Sequence, residues 1–434
     1  MRKRFAAFSL AMTPMLLLNA PARAAGAGPS GTPTDTTNET PPVAVDATWN
    51  LDGGGDWQVD TNWIADTIPN GIDDTANFDS AITANHTVFT DDAVTLGILN
   101  FDNTFTYVLA GTSSLTMQVS SESAQVNVGS SSGSVQTQEI NLPLSIASNT
   151  IFNVFTTGSE LLIADPITIN SGISVTTTGS GSVVYNSLIT LNSGSSLTIG
   201  NSTFANTLSL TSSSTATVSP HGANPTSLLQ LDQLSFAGSF GGHWQGKLDL
   251  SDNDMVVHGG SLSNITDQIT QGRNSGATPW TGSNGITSSM AAANPSTMAL
   301  GVEVNDNGHG TALVSTFDGQ PVSDGDILVK YTLVGDINLD GVINASDYLA
   351  IDNGFQNTLT GWQNGDFNYD GVINGDDYTL IDNAYNTQTA SMVSISAGPT
   401  EMIAVPEPGS LSLLGIGLAM LIRRRRSVQP TSSH

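Results

Sequence analysis

The chain has 434 residues, a formal net charge of −27, no cysteine, and only 11% charged and 6% aromatic residues. This acidity excludes ordinary nucleic-acid binding, which needs a positive surface to displace counterions. The lack of cysteine excludes disulfides, and recurring short runs of branched apolar residues exclude a wholly disordered acidic chain.

The first 24 residues have the pattern of a secretory signal peptide. Basic residues at positions 2–4 precede an apolar run that ends at Leu18, and Ala22-Arg23-Ala24 matches a small-residue cleavage site. The apolar run is too short to span a membrane comfortably. We therefore expect export through the inner membrane, cleavage after residue 24, and a flexible Gly/Pro/Thr-rich linker over residues 25–45.

Three tryptophans, Trp49, Trp57 and Trp63, lie within fifteen residues at the start of the next region, residues 46–235. They could form an exposed platform for stacking sugars or a cap over a hydrophobic core, and the cap is favoured. The pattern resembles the opening segment of bacterial autotransporter-like β-repeat proteins. That resemblance implies that the tryptophans close the first turn of a solenoid.

A repeat of about twenty residues runs through the same region. Residues 167–176 align with residues 189–198 at a spacing of 22, and Leu144 and Leu208 extend the series at spacings of 23 and 19. Inward Ile, Leu and Val with outward Ser and Thr are what a parallel β-solenoid requires, because each turn buries its apolar face only against its neighbours. The alternative is a β-sandwich. Either fold makes the protein mainly β.

Residues 236–334, which we call the coupler, are predicted to be a small mixed region. Strands are expected at residues 246–250, 252–257 and 326–334, and a helix within residues 261–272. This arrangement resembles a coupling segment of large secreted planctomycete proteins. Two strings, residues 287–291 and 307–311, mimic a subtilisin-type protease. Their order is the reverse of that family's and no parallel α/β pattern surrounds them, so His309 is interpreted as a turn residue.

Two acidic twelve-residue loops start thirty residues apart, at residues 336–347 (loop 1) and 366–377 (loop 2). Each has oxygen-bearing side chains at positions 1, 3, 5, 9 and 12 and glycine at position 6, which is the ligand spacing of an EF-hand calcium loop. Gly341 and Gly371 permit the sharp turn. The apolar residues at position 8, Ile343 and Ile373, are expected to pair the two loops through a short strand.

A strand precedes loop 1, a short amphipathic helix follows each loop, and position 12 is Asp rather than Glu. This arrangement resembles the type I dockerin domain over residues 335–388, a small α module. In that family the loops bind calcium and the folded pair docks onto a cohesin partner. The resemblance implies two Ca²⁺ ions, bound by Asp336, Asn338, Asp340, Val342, Asn344 and Asp347 in loop 1 and by Asp366, Asn368, Asp370, Val372, Asn374 and Asp377 in loop 2. Val342 and Val372 would contribute backbone carbonyl oxygens.

After a linker over residues 389–404, residues 405–426 have three consecutive parts. These are the run Val405, Pro406, Glu407 and Pro408, an apolar stretch over 411–422, and the cluster Arg423, Arg424, Arg425 and Arg426. The arginines would stay cytoplasmic while the short transmembrane helix inserts transiently in the inner membrane. The pattern resembles the PEP-CTERM sorting signal, which implies processing by an exosortase and a final place at the cell surface, in the outer envelope or outside the cell.

The segment between the signal peptide and the C-terminal sorting signal contains 37 acidic residues and three basic ones, Lys247, Arg273 and Lys330.

The two terminal signals, the repeats and the acidic loops together predict an exported, non-enzymatic structural or interaction protein of the envelope or matrix. The alternative is a protein that binds or degrades extracellular polysaccharide, with dockerin-type attachment. A glycoside hydrolase or polysaccharide lyase is disfavoured because glycosidases need two converging carboxylates. Glu122, Glu139, Glu160 and Asp165 form no distinctive local pair.

Overall fold

The computed structural model describes residues 43–129, 133–200, 202–204, 206–220, 228–274 and 278–396. The predicted signal peptide, most of the first linker, part of the second linker and the sorting signal lie outside these residues. Among the described residues, no helix has both the length and the apolar character needed to cross a bilayer.

The described residues are mainly β, with thirty short strands and four α-helices. The helices are α1 (Leu262–Arg273), α2 (Ser289–Ala293), α3 (Ala345–Gln356) and α4 (Gly375–Ser396). The strands are β1 (Asp46–Thr48), β2 (Gly55–Asp56), β3 (Thr75–Phe78), β4 (His86–Thr90), β5 (Val94–Leu96), β6 (Ile98–Phe101), β7 (Tyr107–Gly111), β8 (Leu115–Met117), β9 (Ala124–Val128), β10 (Thr137–Asn141), β11 (Leu144–Ile146), β12 (Thr150–Val154), β13 (Glu160–Ile163), β14 (Ile167–Ile169), β15 (Ser174–Gly179), β16 (Ser182–Tyr185), β17 (Ile189–Leu191), β18 (Ser196–Ile199), β19 (Ser202–Phe204), β20 (Thr207–Leu210), β21 (Thr215–Val218), β22 (Leu228–Leu231), β23 (Gln233–Phe236), β24 (Lys247–Asp249), β25 (Asp254–Val257), β26 (Gly285–Thr287), β27 (Met298–Val304), β28 (Thr316–Phe317), β29 (Gln320–Pro321) and β30 (Ile327–Leu333).

Three parallel sheets of ten, seven and seven strands form the walls of a parallel β-solenoid of about eight turns. Consecutive strands enter consecutive sheets, so β3, β4 and β5 occupy three walls and β6 returns to the wall of β3. This topology confirms the solenoid. The alternative β-sandwich is wrong, because a sandwich of antiparallel sheets does not place every third strand in parallel register.

The wall register follows the repeat that the sequence shows. Ile167 pairs with Leu144 on one side and with Ile189 on the other, and Ile189 pairs with Leu208. These pairings reproduce the spacings of 23, 22 and 19 residues. Each of these side chains is buried, and the intervening hydroxyl residue points outward because side chains alternate along a strand.

A ladder of amides runs along the outer face of the ten-stranded sheet. The Nδ2 atom of Asn77 donates to Asp46 at 2.7 Å, that of Asn100 donates to Asn77 at 2.8 Å, and that of Asn127 donates to Asn100 at 2.8 Å. In-register parallel pairing places these side chains on neighbouring strands of one face. The ladder therefore adds side-chain hydrogen bonds to the backbone pairing between turns.

The three tryptophans close the N-terminal end of the solenoid core. Trp49, Trp57 and Trp63 are each only 1% exposed, and their rings surround Phe78 with centroid distances of 5.6 to 5.9 Å. Buried rings cannot offer a face to a sugar. The favoured interpretation as a cap is therefore confirmed, and the stacking platform is excluded.

The coupler continues the solenoid rather than following it as a separate body. The ten-stranded sheet extends past residue 235 into β24 and β26, and a four-stranded sheet joins β22 and β25 of the chain to β30 and β27. In that sheet the Nζ atom of Lys330 lies 3.0 Å from Asp254 and 3.3 Å from Asp318. The predicted boundary near residue 235 is thus not a break in sheet pairing.

We expect Phe78→Ala to lower the free energy of unfolding by about 3–5 kcal/mol, because the cavity would separate three tryptophans from the core. Phe89→Ala is the control, since that ring is 53% exposed, and it should change stability by no more than about 0.5 kcal/mol. Urea unfolding followed by tryptophan fluorescence measures both. Equal losses in the two variants would contradict the assignment of the cap.

Candidate metal centre

The two acidic loops have matching backbone conformations. Gly341 and Gly371 at position 6 have φ of 85° and 86°, and Leu339 and Tyr369 at position 4 have φ of 59° and 57°. A positive φ costs little at glycine and more at other residues, so each loop makes its turn with help from tertiary contacts. Helices α3 and α4 follow the loops, as the sequence predicts.

In loop 1 the carboxylates at positions 1 and 12 bind the backbone of the loop. Asp336 accepts hydrogen bonds from the N–H groups of Asp340 at 3.0 Å and Gly341 at 2.8 Å. Asp347 accepts from the N–H groups of Ile337 and Asn344, both at 2.9 Å. Asp347 thereby joins the start of the loop to its end, and with Asn344 it forms the capping box of α3.

Loop 2 repeats this network. Asp366 accepts from the N–H groups of Asp370 and Gly371, both at 3.1 Å. Asp377 accepts from Phe367 at 2.9 Å and from Asn374 at 3.0 Å. The predicted first and last ligands of each loop therefore occupy equivalent positions in two copies of one structure.

These four carboxylates are buried, with exposures of 0% for Asp336, 1% for Asp347, 3% for Asp366 and 0% for Asp377. Burial raises the pKa of Asp336, Asp366 and Asp377, against the hydrogen bonds that lower it. Neighbouring carboxylates raise the pKa further, as Asp340 and Asp347 do for Asp336. Each loop therefore gathers negative charge that a cation would stabilise.

The remaining predicted ligands lie on the solvent side of each loop. The Nδ2 atom of Asn338 donates to Asp340 at 3.0 Å, and that of Asn368 donates to Asp370 at 2.9 Å. The side chains of Val342 and Val372 are 39% and 58% exposed, which is compatible with a role for their carbonyl groups alone.

The donor set is mixed and consists only of oxygen. Among the described residues, no group of three or more His, Cys, Asp or Glu side chains forms a metal site by itself. Each loop instead offers three aspartates, two asparagine side chains and one backbone carbonyl. Such a set fits Ca²⁺, which takes six to eight oxygens, and not a soft metal that prefers sulfur or nitrogen. The residues present therefore fit the implied metal.

One expectation about the loops is wrong. Ile343 and Ile373 do not join the loops through a short strand. The backbone N–H and C=O groups of Ile343 instead bond the side-chain amide of Gln388 in α4, at 2.8 and 2.9 Å. A side chain 45 residues away thus supplies the partner that a strand would have supplied.

The two helices are linked by a reciprocal pair of hydrogen bonds. The hydroxyl of Tyr348 in α3 donates to Asp382 in α4 at 2.7 Å, and the hydroxyl of Tyr378 in α4 donates to Asp352 in α3 at 2.6 Å. Equivalent positions of the two repeats exchange bonds. The loops, helices and cross-links therefore form one module with internal two-fold repetition.

Family models identify this module. The model for the dockerin type I domain matches residues 334–386. The chain carries a type I dockerin domain. Members of this family generally bind calcium, whereas the number of ions and the individual ligands stay predictions.

A second family model, the PEP-CTERM protein-sorting motif, matches residues 404–426. No curated protein and no solved structure matches the chain. The dockerin domain and the sorting motif together mark an exported protein that is associated with the cell surface. The likeness of the solenoid to autotransporter repeats and of the coupler to planctomycete proteins stays a prediction.

The dockerin domain packs directly on the coupler, which the sequence did not reveal. The Nε1 atom of Trp362, a fully buried residue, donates to the carbonyl of Asp336 at 2.9 Å, and the hydroxyl of Tyr369 donates to the carbonyl of Leu300 in β27 at 2.6 Å. A Cβ atom on Gly301 would lie 2.7 Å from both Leu339 and Trp362. The absence of a side chain at Gly301 therefore lets the sheet approach the loops.

The protease-like strings have structural roles in the described residues. Ser288 is fully buried and caps α2 by accepting the N–H of Ala291 at 2.9 Å. His309 is exposed in a turn, where its N–H donates to Asn307 at 2.8 Å. These contacts support the interpretation of His309 as a turn residue.

We expect calcium to raise the melting temperature of the protein, because an ion that binds only the folded loops stabilises them by about 2.7 kcal/mol per site at a concentration of one hundred times Kd. Combining Asp336→Ala with Asp366→Ala should remove this response. Differential scanning calorimetry with calcium or with EGTA measures it. The matched control combines Glu122→Ala with Asp165→Ala on the solenoid and should keep the response. An unchanged calcium shift in the loop variant would refute the ligand assignment.

Proposed function

We propose that this protein is a non-enzymatic structural and interaction protein of the cell envelope or extracellular matrix. In this proposal the solenoid is a rigid stalk that presents a calcium-stabilised dockerin domain to a partner. Export and surface sorting follow from the two terminal signals, with an exosortase as the processing enzyme.

The rigid attachment of the dockerin domain is the observation that carries this proposal. Tyr369 bonds the backbone of Leu300 in the coupler, and Trp362, which bonds the backbone of loop 1, lies close against Gly301 of the same strand. The domain therefore has a fixed orientation at the end of the stalk. A fixed domain suits a spacer or an architectural role. An enzyme that uses a dockerin domain only for attachment to a partner would not need the dockerin domain to pack against the rest of the chain.

The outward face of α3 is the proposed partner surface. Leu349 is 70% exposed and Phe355 is 54% exposed, and the acidic Asp352 lies between them. No lysine or arginine occurs between residues 331 and 422, so this face is acidic and partly apolar. A cohesin-like partner would therefore need a basic or neutral docking face.

A calcium-dependent complex tests this proposal. The exported protein, immobilised with calcium, should retain a cohesin-like partner from the surface fraction of its own cells and release it with EGTA. Leu349→Asp should reduce retention at least about tenfold, since an apolar anchor would become charged. Thr168→Asp, at an exposed side chain of solenoid strand β14, is the matched control and should retain the partner. Equal retention by both variants would move the partner surface away from α3.

A second candidate function is binding of extracellular polysaccharide, and one row of hydroxyl groups favours it. Strands of the third wall place seven outward residues in register, with a spacing of about 4.8 Å per turn. They are Thr95, Thr116, Ser145, Thr168, Thr190, Ser209 and Ser235. A regular row of neutral hydrogen-bonding groups suits a neutral polymer that lies along the stalk.

Glycan-array binding and hydrolysis assays discriminate these functions. A structural protein without glycan affinity should bind no glycan and release no sugar. The hydroxyl row predicts binding that Thr168→Asp weakens and that the Leu349→Asp variant retains. Turnover that a single substitution of Glu139 or Glu160 abolishes would overturn the non-enzymatic proposal.

A further inference from the structure

We propose that the coupler makes the two calcium loops unequal. Glu303 adds a negative charge beside loop 1, whereas Arg273 acts as a resident counterion beside loop 2. Loop 1 therefore binds calcium first and more tightly. This inference rests on the proposed binding of calcium by both loops, and both residues lie outside the matched dockerin segment.

The loops share the hydrogen bonds of their first and last aspartates, with one more in loop 2, from Asn368 to Asp377 at 3.2 Å, but they have different neighbours. Helix α1 of the coupler faces loop 2 across a cavity of about 480 Å³, which is lined by Thr266, Asp267, Asp366 and Asp370 among others. Asp267 accepts hydrogen bonds within the coupler, from the Nε1 atom of Trp244 at 2.8 Å and the N–H group of Gly241 at 3.0 Å. Strand β27 faces loop 1 across a second cavity of about 450 Å³, which is lined by Glu303, Asn338 and Asp340 among others. Loop 2 itself has one further carboxylate, Asp376, where loop 1 has Ser346. The coupler adds a second source of difference, which acts from outside the loops.

Beside loop 2, Arg273 is positioned by an aromatic stack. Its guanidinium carbon lies 6.0 Å from the centre of the Trp280 ring, and that ring meets Tyr369 of loop 2 edge to face at 6.4 Å. Burial lowers the pKa of Arg273, while Tyr369 and the loop-2 carboxylates Asp366, Asp377 and Asp370 raise it. An arginine stays protonated in proteins, so loop 2 always has a positive charge nearby.

Beside loop 1, the added charge has the opposite sign. Burial and, to a smaller extent, the nearby Asp336 raise the pKa of Glu303 to about 7. Lys330 lines the same cavity, but it lies within 3.3 Å of both Asp254 and Asp318, so two carboxylates already balance its charge. The neighbourhood of loop 1 is therefore net negative.

A divalent ion magnifies this difference, because its interaction energy with each neighbouring charge is twice that of a single charge. Calcium at loop 1 gains attraction from Glu303 of the coupler. Calcium at loop 2 is repelled by a guanidinium that already compensates part of the loop charge. The same guanidinium stabilises the loop-2 carboxylates when calcium is scarce.

Calorimetric calcium titration of the full chain at pH 8 tests the inference one loop at a time. In the Asp336→Ala background, which isolates loop 2, Arg273→Gln should tighten calcium binding about tenfold. In the Asp366→Ala background, which isolates loop 1, Glu303→Gln should weaken binding about tenfold. Neither substitution should change the affinity of the other loop by a comparable factor.

Matched controls separate charge from packing. Arg273→Lys keeps the positive charge and should leave loop-2 affinity nearly unchanged, and Lys247→Gln removes a positive charge elsewhere in the coupler and should do the same. Glu122→Gln is the control for Glu303→Gln. A second readout is the melting temperature, which Arg273→Gln should lower more without calcium than with saturating calcium.

Three outcomes would overturn the inference. Arg273→Lys could behave like Arg273→Gln, which would assign the effect to packing. Both loops could bind with equal affinity and ignore both substitutions. If neither loop of the unsubstituted chain bound calcium, the proposed calcium binding would be wrong as well. The first two outcomes contradict only the inequality of the loops, so the two kinds of failure are distinguishable.

Discussion

Parallel backbone pairing between successive turns is the interaction on which the rest of the molecule depends. Three short strands per turn cannot bury their apolar side chains alone, so each turn gains its core only from the turns above and below it. The same pairing leaves open strand edges at both ends of the stack. Trp49, Trp57 and Trp63 close one end. At the other end the sheet continues into the coupler, and the coupler carries the dockerin domain.

Much of the solenoid could be predicted, because its information is local and periodic. Pairs such as Ile167 and Ile189 are one turn apart in the sequence and are neighbours in register. The coupler could not be predicted to the same degree, since its contacts are neither local nor periodic. Lys330 bonds Asp254 across 76 residues, and no repeat in the sequence indicates that pairing.

The calcium loops show the same division between local and distant information. The positions of Asp336, Asp347, Asp366 and Asp377 are set by spacing within twelve residues, and the structure places them equivalently in the two loops. The partner of Ile343 was predicted incorrectly because the backbone N–H and C=O groups of Ile343 bond the side-chain amide of Gln388, 45 residues away, instead of a neighbouring strand. The contact of Trp362 with loop 1 was missed for a related reason, since a tryptophan in a linker between repeats has no distinctive local pattern.

The distribution of the few basic residues joins these observations. Between the two terminal signals the chain has three basic residues against 37 acidic ones, and all three, Lys247, Arg273 and Lys330, lie in the coupler. Self-repulsion in so acidic a chain is strongest where carboxylates gather, which is at the calcium loops. Arg273 opposes that repulsion at loop 2, whereas Lys330 is already paired with Asp254 and Asp318. The coupler is therefore both the structural connection to the dockerin domain and the source of the basic residue beside loop 2. In our proposal, calcium supplies the remaining positive charge that the sequence does not provide.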